Sequence, residues 1–72
     1  MYATLIPLNS SNLRSVNYDL WRATLTIEFH HGGVYEYDGV PPIIFDSLVA
    51  AKSPGRFHHQ HIKSRYPFRR IS

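Results

Sequence analysis

The side chains best placed for chemistry near neutral pH are five histidines. Three of them, His58, His59 and His61, crowd into one short stretch, and His30 and His31 stand together earlier in the chain. If residues 54–62 are helical, His58 and His61 lie at i and i+3 and can share a metal ion. A third fixed ligand is not evident, and the chain has no cysteine to supply a thiolate. The expectation is therefore no metal and no cofactor, with His58 and His59 exposed and His61 packed beside Ile62. Glu36 and Asp38 point the same way from one strand and have the form of an acid pair, but nothing around them suggests a shifted pKa. A solvated outer sheet face accounts for them. Nucleophilic catalysis needs a base beside its nucleophile. No serine sits in a Gly-x-Ser-x-Gly elbow, and Gly32-Gly33 is too short for a phosphate loop and lacks its lysine. These residues do not predict an enzyme.

The cations are the stronger signal. Net charge is +3, but it is unevenly spread. Residues 1–51 carry Arg14 and Arg22 against five acids, a net −3. Residues 52–72 carry Lys52, Arg56, Lys63, Arg65, Arg69 and Arg70 with no acid, a net +6. These cations alternate with Phe57, Tyr66 and Phe68. Cations for phosphates and rings for bases suit a single-stranded nucleic acid. The plainer reading is that the rings cap a small core and the cations solvate. The two are compatible, because anchored rings hold their neighbouring cations in place.

Seventy-two residues make one domain with one core, of marginal stability. Without cysteines, the stabilising routes are dense packing of the ten aromatic residues and self-association. No apolar run approaches the roughly 18 residues of a membrane span. Met1 to Leu8 lacks the basic flank and cleavage site of a signal peptide, so no membrane role is expected and the cytoplasm is the expected compartment.

The positioning elements follow from periodicity. Residues 1–12 read as a lead-in and 13–72 as the domain, with Asn9-Ser10-Ser11-Asn12 as a loop. Leu13 to Tyr18 is a short strand, Asp19 to Arg22 a turn, and Ala23 to His30 the clearest strand. Ala23, Leu25, Ile27 and Phe29 alternate there with Thr24, Thr26, Glu28 and His30. Trp21 shares the parity of the buried set. Val34 to Asp38 is a third strand. Pro41-Pro42 opens a helix over Ile43 to Lys52, with Ile44, Leu48 and Ala51 on its inner stripe. Ser53, as N-cap, and Pro54 start a second, shorter helix. The end, from Tyr66 onward, is an extended basic segment. The predicted fold is α+β: a three-stranded antiparallel meander, one main helix across it, a short second helix and a basic coda.

The hairpin before Tyr35-Glu36-Tyr37 has two possible registers. A three-residue loop, His31-Gly32-Gly33 with Gly33 left-handed, puts both tyrosines on the buried face. A two-residue loop, His31-Gly32, puts them on the open face, where exposed rings can stack bases. The second register also turns Glu36 and Asp38 into the core, which is costly. That cost favours buried tyrosines.

With these features in order, the chain resembles a stand-alone KTSC domain, a module named for its place at the C-terminus of some lysyl-tRNA synthetases and also found alone in bacterial and phage proteins. The resemblance covers about Ser10 to Ile71. It rests on Tyr18-Asp19, Leu25-x-Ile27-x-Phe29 followed by glycine, and Tyr35-x-Tyr37. It continues through Gly39-Val40-Pro41 and Ser53-x-Gly55-x-Phe57, then Ile62. It implies that Tyr35, Tyr37, Ser53, Gly55 and Phe57 are structural motif residues. It suggests RNA binding from the synthetase context and implies no established activity. The histidine-rich stretch at residues 58–61 is peculiar to this chain. The expected function is a small non-catalytic binding domain for RNA or another nucleic acid, using the six cations of residues 52–72. The alternative is a protein-interaction module, in one form a homodimer through a sheet edge.

Overall fold

The computed structural model describes residues 6–72. The first five positions of the lead-in, and with them much of the stretch weighed as a signal peptide, lie outside the described residues. The elements run β1 (Ile6–Pro7), β2 (Leu13–Asp19), β3 (Thr24–Phe29), β4 (Val34–Tyr37), α1 (Pro42–Ala50), α2 (Pro54–His61) and β5 (Phe68–Arg70). All five strands join one antiparallel sheet in chain order. The sheet therefore has five strands rather than the three expected. The basic coda is not a free extended segment: residues 68–70 form β5 and pair with β4. Three exposed residues carry no alternating burial pattern to betray a strand. Their partners are supplied by β4, more than thirty positions earlier in the chain.

The β2–β3 turn is built by Asp19. Its Oδ1 accepts from the backbone N–H groups of Trp21 and Arg22 at 3.0 and 3.2 Å, an Asx turn. Ala23 then takes φ +51°, a left-handed conformation that costs an L-residue about 1 kcal/mol. Its carbonyl is held by the Val40 N–H at 2.9 Å. Trp21 falls in this turn and is 85% exposed, so it does not extend the buried face of β3 as its parity suggested. Parity argues only within a strand, and the strand starts at Thr24.

The hairpin loop does have three residues, but they are His30-His31-Gly32. The Phe29 N–H donates to the Gly33 carbonyl at 2.8 Å, and the Gly32 N–H donates to the Phe29 carbonyl at 3.0 Å. Gly32, not Gly33, has positive φ (+110°). Ile27 pairs with Tyr35 and Leu25 with Tyr37. The register is thus two residues from the one expected, and a shift of two leaves every side chain on its predicted face. Gly33 is needed for a different reason. The Tyr35 ring lies over it, and a Cβ there would sit 2.8 Å from the ring edge.

On the inner face Leu13, Val16, Leu25, Ile27, Phe29 and Tyr37 form the core with Val40, Leu48 and Ile62. Leu48 is the one fully buried residue of α1; Ile44 and Phe45 pack at the edge, and the Phe45 ring stacks on Tyr18 at 5.1 Å. Helix α2 begins as its sequence predicts. Ser53 is the N-cap, with its Oγ accepting from the Arg56 N–H at 3.4 Å, and Pro54 follows in the first turn.

Candidate binding pocket

Helix α2 buries Pro54, His58 and Ile62, a stripe at i, i+4 and i+8. That spacing lays His58 against the sheet where Tyr37 faces inward. The Tyr37 hydroxyl and His58 Nε2 are 2.8 Å apart and form a buried hydrogen bond. In the Nδ1–H tautomer the phenol donates to Nε2. Phe29 and Tyr37 both meet the imidazole edge-on, at 5.3 and 5.6 Å. Burial dominates the titration of both partners. It lowers the His58 pKa to about 4, with Lys63 and His59 adding to the shift, and raises Tyr37 to about 12, with Tyr35 adding to it. Both groups are neutral near pH 7.

This corrects the expected roles of the histidines. His58 is 6% exposed rather than open to solvent, and His61 is exposed on the far side, its ring against Phe57 at 4.7 Å. The signal was present in the sequence: counting back four residues from apolar Ile62 reaches His58, not His61. The i, i+3 spacing that would let His58 and His61 share a metal does not bring them together for one: His58 Nε2 is bonded to Tyr37 and the His61 ring packs against Phe57. His30 is committed too, its Nε2 lying 2.9 Å from the Ser10 carbonyl. Among the described residues no three His, Asp or Glu side chains converge.

The Tyr37–His58 pair forms one wall of a half-open pocket of about 340 Å³. Phe29, Tyr35 and Phe68 provide further ring surface, and His31 continues it by stacking on Phe29 at 5.2 Å and 8°. Phe68 closes the β5 side, tilted against Tyr35 and Tyr37 at 5.9 and 5.7 Å. The polar lining is Asn12, His59 and Lys63, with Gly55 of α2 beside Asn12. No carboxylate lines the pocket. Sequence reasoning did not anticipate Asn12, Phe29 and His31 as pocket residues. Asn12 precedes β2, while Phe29 and His31 lie at the end of β3, and the two sites meet only through the sheet.

The six cations divide. Lys63 lines the pocket; Lys52, Arg56 and Arg65 are exposed beside or on α2 and make no ion pair among the described residues. Arg56 and His59 lie one turn apart on α2, and Lys63 follows just past its C-cap. Arg69 lies on the opposite, outer face of the sheet. It is paired with Glu36 at 2.8 Å and Asp38 at 2.7 Å, directly across from Glu36 in the β4–β5 register. The suspected acid pair is thus a clamp for β5. Arg70 donates from Nε to the Ser72 carbonyl at 2.8 Å. Of the motif residues, Tyr37 is core and Tyr35 lines the pocket, Ser53 caps α2, Gly55 lies beside Asn12, and Phe57 packs at the core edge.

A small antiparallel sheet carrying two short helices on one face, with the pocket between α2 and the sheet, defines the class of domain. The chain belongs to the KTSC domain family, whose model matches residues 9–66. It is 39% identical to an uncharacterised protein of Stutzerimonas stutzeri over 85% of this chain and 86% of that one. It is 37% identical to a lysine–tRNA ligase of Nostoc punctiforme over 94% of this chain but 12% of the ligase. The crystal structure of a KTSC domain protein from Yersinia pestis superposes with a TM-score of 0.93 at 35% identity, covering 96% of this chain and 97% of that one. No helix among the described residues is long and apolar enough to cross a membrane.

Proposed function

We propose that this domain is a non-catalytic RNA-binding module that uses the α2 side of the molecule. The observation that carries the reading is electrostatic. Lys52, Arg56, Lys63 and Arg65 surround α2 without an ion pair among the described residues, and residues 47–72 contain no acid. Uncompensated cations beside exposed rings attract a polyanion with unstacked bases. The matching stretch within a lysine–tRNA ligase supports the same direction, since that enzyme acts on an RNA. Arg69 serves the sheet rather than the ligand. The neutral, hydrogen-bonded Tyr37–His58 pair supports a structural role in place of acid–base catalysis.

Titrating short single-stranded RNA at several salt concentrations tests the reading. With four phosphate contacts, log K falls against log salt with a slope no steeper than about −3. Absent binding at low salt, or binding indifferent to salt, rejects it. A second reading, protein interaction, is favoured by one observation: Leu20 and Trp21 project from the β2–β3 turn at 63% and 85% exposure. Its homodimer form predicts concentration-dependent mass in sedimentation, abolished by Trp21→Ser. A strict monomer at all concentrations removes it.

A further inference from the structure

The pocket between α2, β4 and β5 has the make-up of a receptor, and three independent features specify its occupant. Its walls are largely aromatic: Phe29, Tyr35, Tyr37 and Phe68, extended by the imidazole of His31. A planar ring is the shape such walls accept with the largest contact. The second feature is an unsatisfied group. His58 is 94% buried, and its Nε2 is bonded to Tyr37, yet its other ring nitrogen, Nδ1, has no hydrogen-bond partner among the described residues. A buried polar atom without a partner is costly, and a ligand edge that offers a donor or acceptor removes that cost. The third feature is charge. The lining carries Lys63 and His59 and no carboxylate. The site therefore suits a planar heterocycle with polar edges and an anion attached close by.

We propose that this pocket takes one nucleotide unit, its base lying against Tyr35 and Phe68 with an edge toward His58, and its phosphate at Lys63. The inference deepens and rests on the RNA-binding reading: the cations along α2 hold the strand, and the pocket admits one of its bases. A base that leaves the stack to enter the site makes the domain a reader of single strands and loops rather than of duplex, whose bases are paired and stacked. The Tyr37–His58 bond keeps the inner wall in place before the ligand arrives, so little ordering is left to binding. An aromatic side chain of a peptide fits the ring walls equally well, but it brings neither the polar edge for His58 Nδ1 nor, along its chain, an anion for Lys63.

Three probes on the wild-type protein separate the parts by NMR shift mapping: adenosine 5′-monophosphate, ribose 5-phosphate and a phenylalanine-containing tripeptide amide. The expected result is that the nucleotide moves resonances of Tyr35, His58 and Lys63 together. Ribose 5-phosphate is expected to move Lys63 alone, and the peptide to leave the pocket unmoved. In a second arm, Phe68→Ala removes a ring that is 55% exposed and so not needed for the core. It is expected to weaken short single-stranded RNA about 5- to 100-fold with the salt slope unchanged, because no phosphate contact is lost. Lys63→Gln is expected to make the slope shallower by about 0.7. If the nucleotide leaves Tyr35 and His58 unmoved, or the peptide moves them instead, the pocket assignment is overturned. Salt-dependent RNA binding that Phe68→Ala leaves intact also overturns it while the RNA-binding reading stands. If the nucleotide enters the pocket but no RNA binds at any salt, the pocket assignment stands for free nucleotides and the RNA-binding reading falls.

Discussion

Acidifying this domain from about pH 7.5 to about pH 4.5 lowers its unfolding free energy by about 2–3 kcal/mol through His58 alone. The imidazole has its ordinary pKa near 6.5 in the unfolded chain and about 4 in the folded one, because burial between α2 and the sheet disfavours the cation. Between these values the unfolded state binds a proton that the native state refuses. The stability His58 contributes as a neutral group is therefore complete above about pH 6.5 and is lost as pH falls toward 4. A domain of this length has only about 4–11 kcal/mol in total, so the loss is a large fraction. Lys63 and His59, both near the ring, push in the same direction as burial. Urea unfolding at the two pH values measures the effect. In His58→Gln the same comparison is expected to lose most of its pH dependence over this window, which isolates His58 from the carboxylates. The His58 ring protons should titrate below pH 5 by NMR. A midpoint near 6.5, or parallel pH profiles for the two proteins, would show that His58 is not held neutral by the fold.

Leu48→Ala is expected to destabilise by about 2–5 kcal/mol, while Ile43→Ala, in the same helix, changes stability by no more than about 0.5 kcal/mol. Both residues are branched aliphatics in α1, and sequence composition does not rank them. Leu48 is fully buried and belongs to the single core with Val40 and Ile62; Ile43 is 66% exposed. Leu48 is also the only fully buried residue of α1, so a cavity there removes the main anchor of the helix on the sheet. Chemical denaturation of the two variants against the wild type is the measurement. A cost at Ile43 that matches or exceeds the cost at Leu48 would mean that α1 docks through a different face.

The two cases differ in how much a reader of the chain could know in advance. Leu48 lies on the stripe that 3.6-residue periodicity picks out, and the structure agrees. His58 lies on an equally regular stripe with Pro54 and Ile62, but a histidine does not announce burial, and the apolar neighbour Phe57 draws the eye to His61. Tyr35 and Tyr37 show a third situation. Their face was legible because the opposite choice would bury two carboxylates. Their register was not, because two adjacent glycines offer the same left-handed freedom, and only the close passage of the Tyr35 ring over Gly33 selects Gly32 for the turn.

Local physics in the chain alone determined β2, β3 and β4, the Asp19 turn, the proline-led starts of both helices and the inward face of the tyrosine motif. Each depends on residues within a turn or two of one another, where periodicity, capping and φ preference act directly. The tertiary structure decided the rest: the added strands β1 and β5, the burial of His58, the capture of Arg69 and the pocket itself. These depend on partners far apart in sequence, 21 residues for Tyr37 with His58 and 33 for Glu36 with Arg69. A charge or an imidazole has no fixed fate until the fold supplies the group opposite it. In this domain Arg69 meets two carboxylates and becomes a clamp, and Lys63 meets none among the described residues.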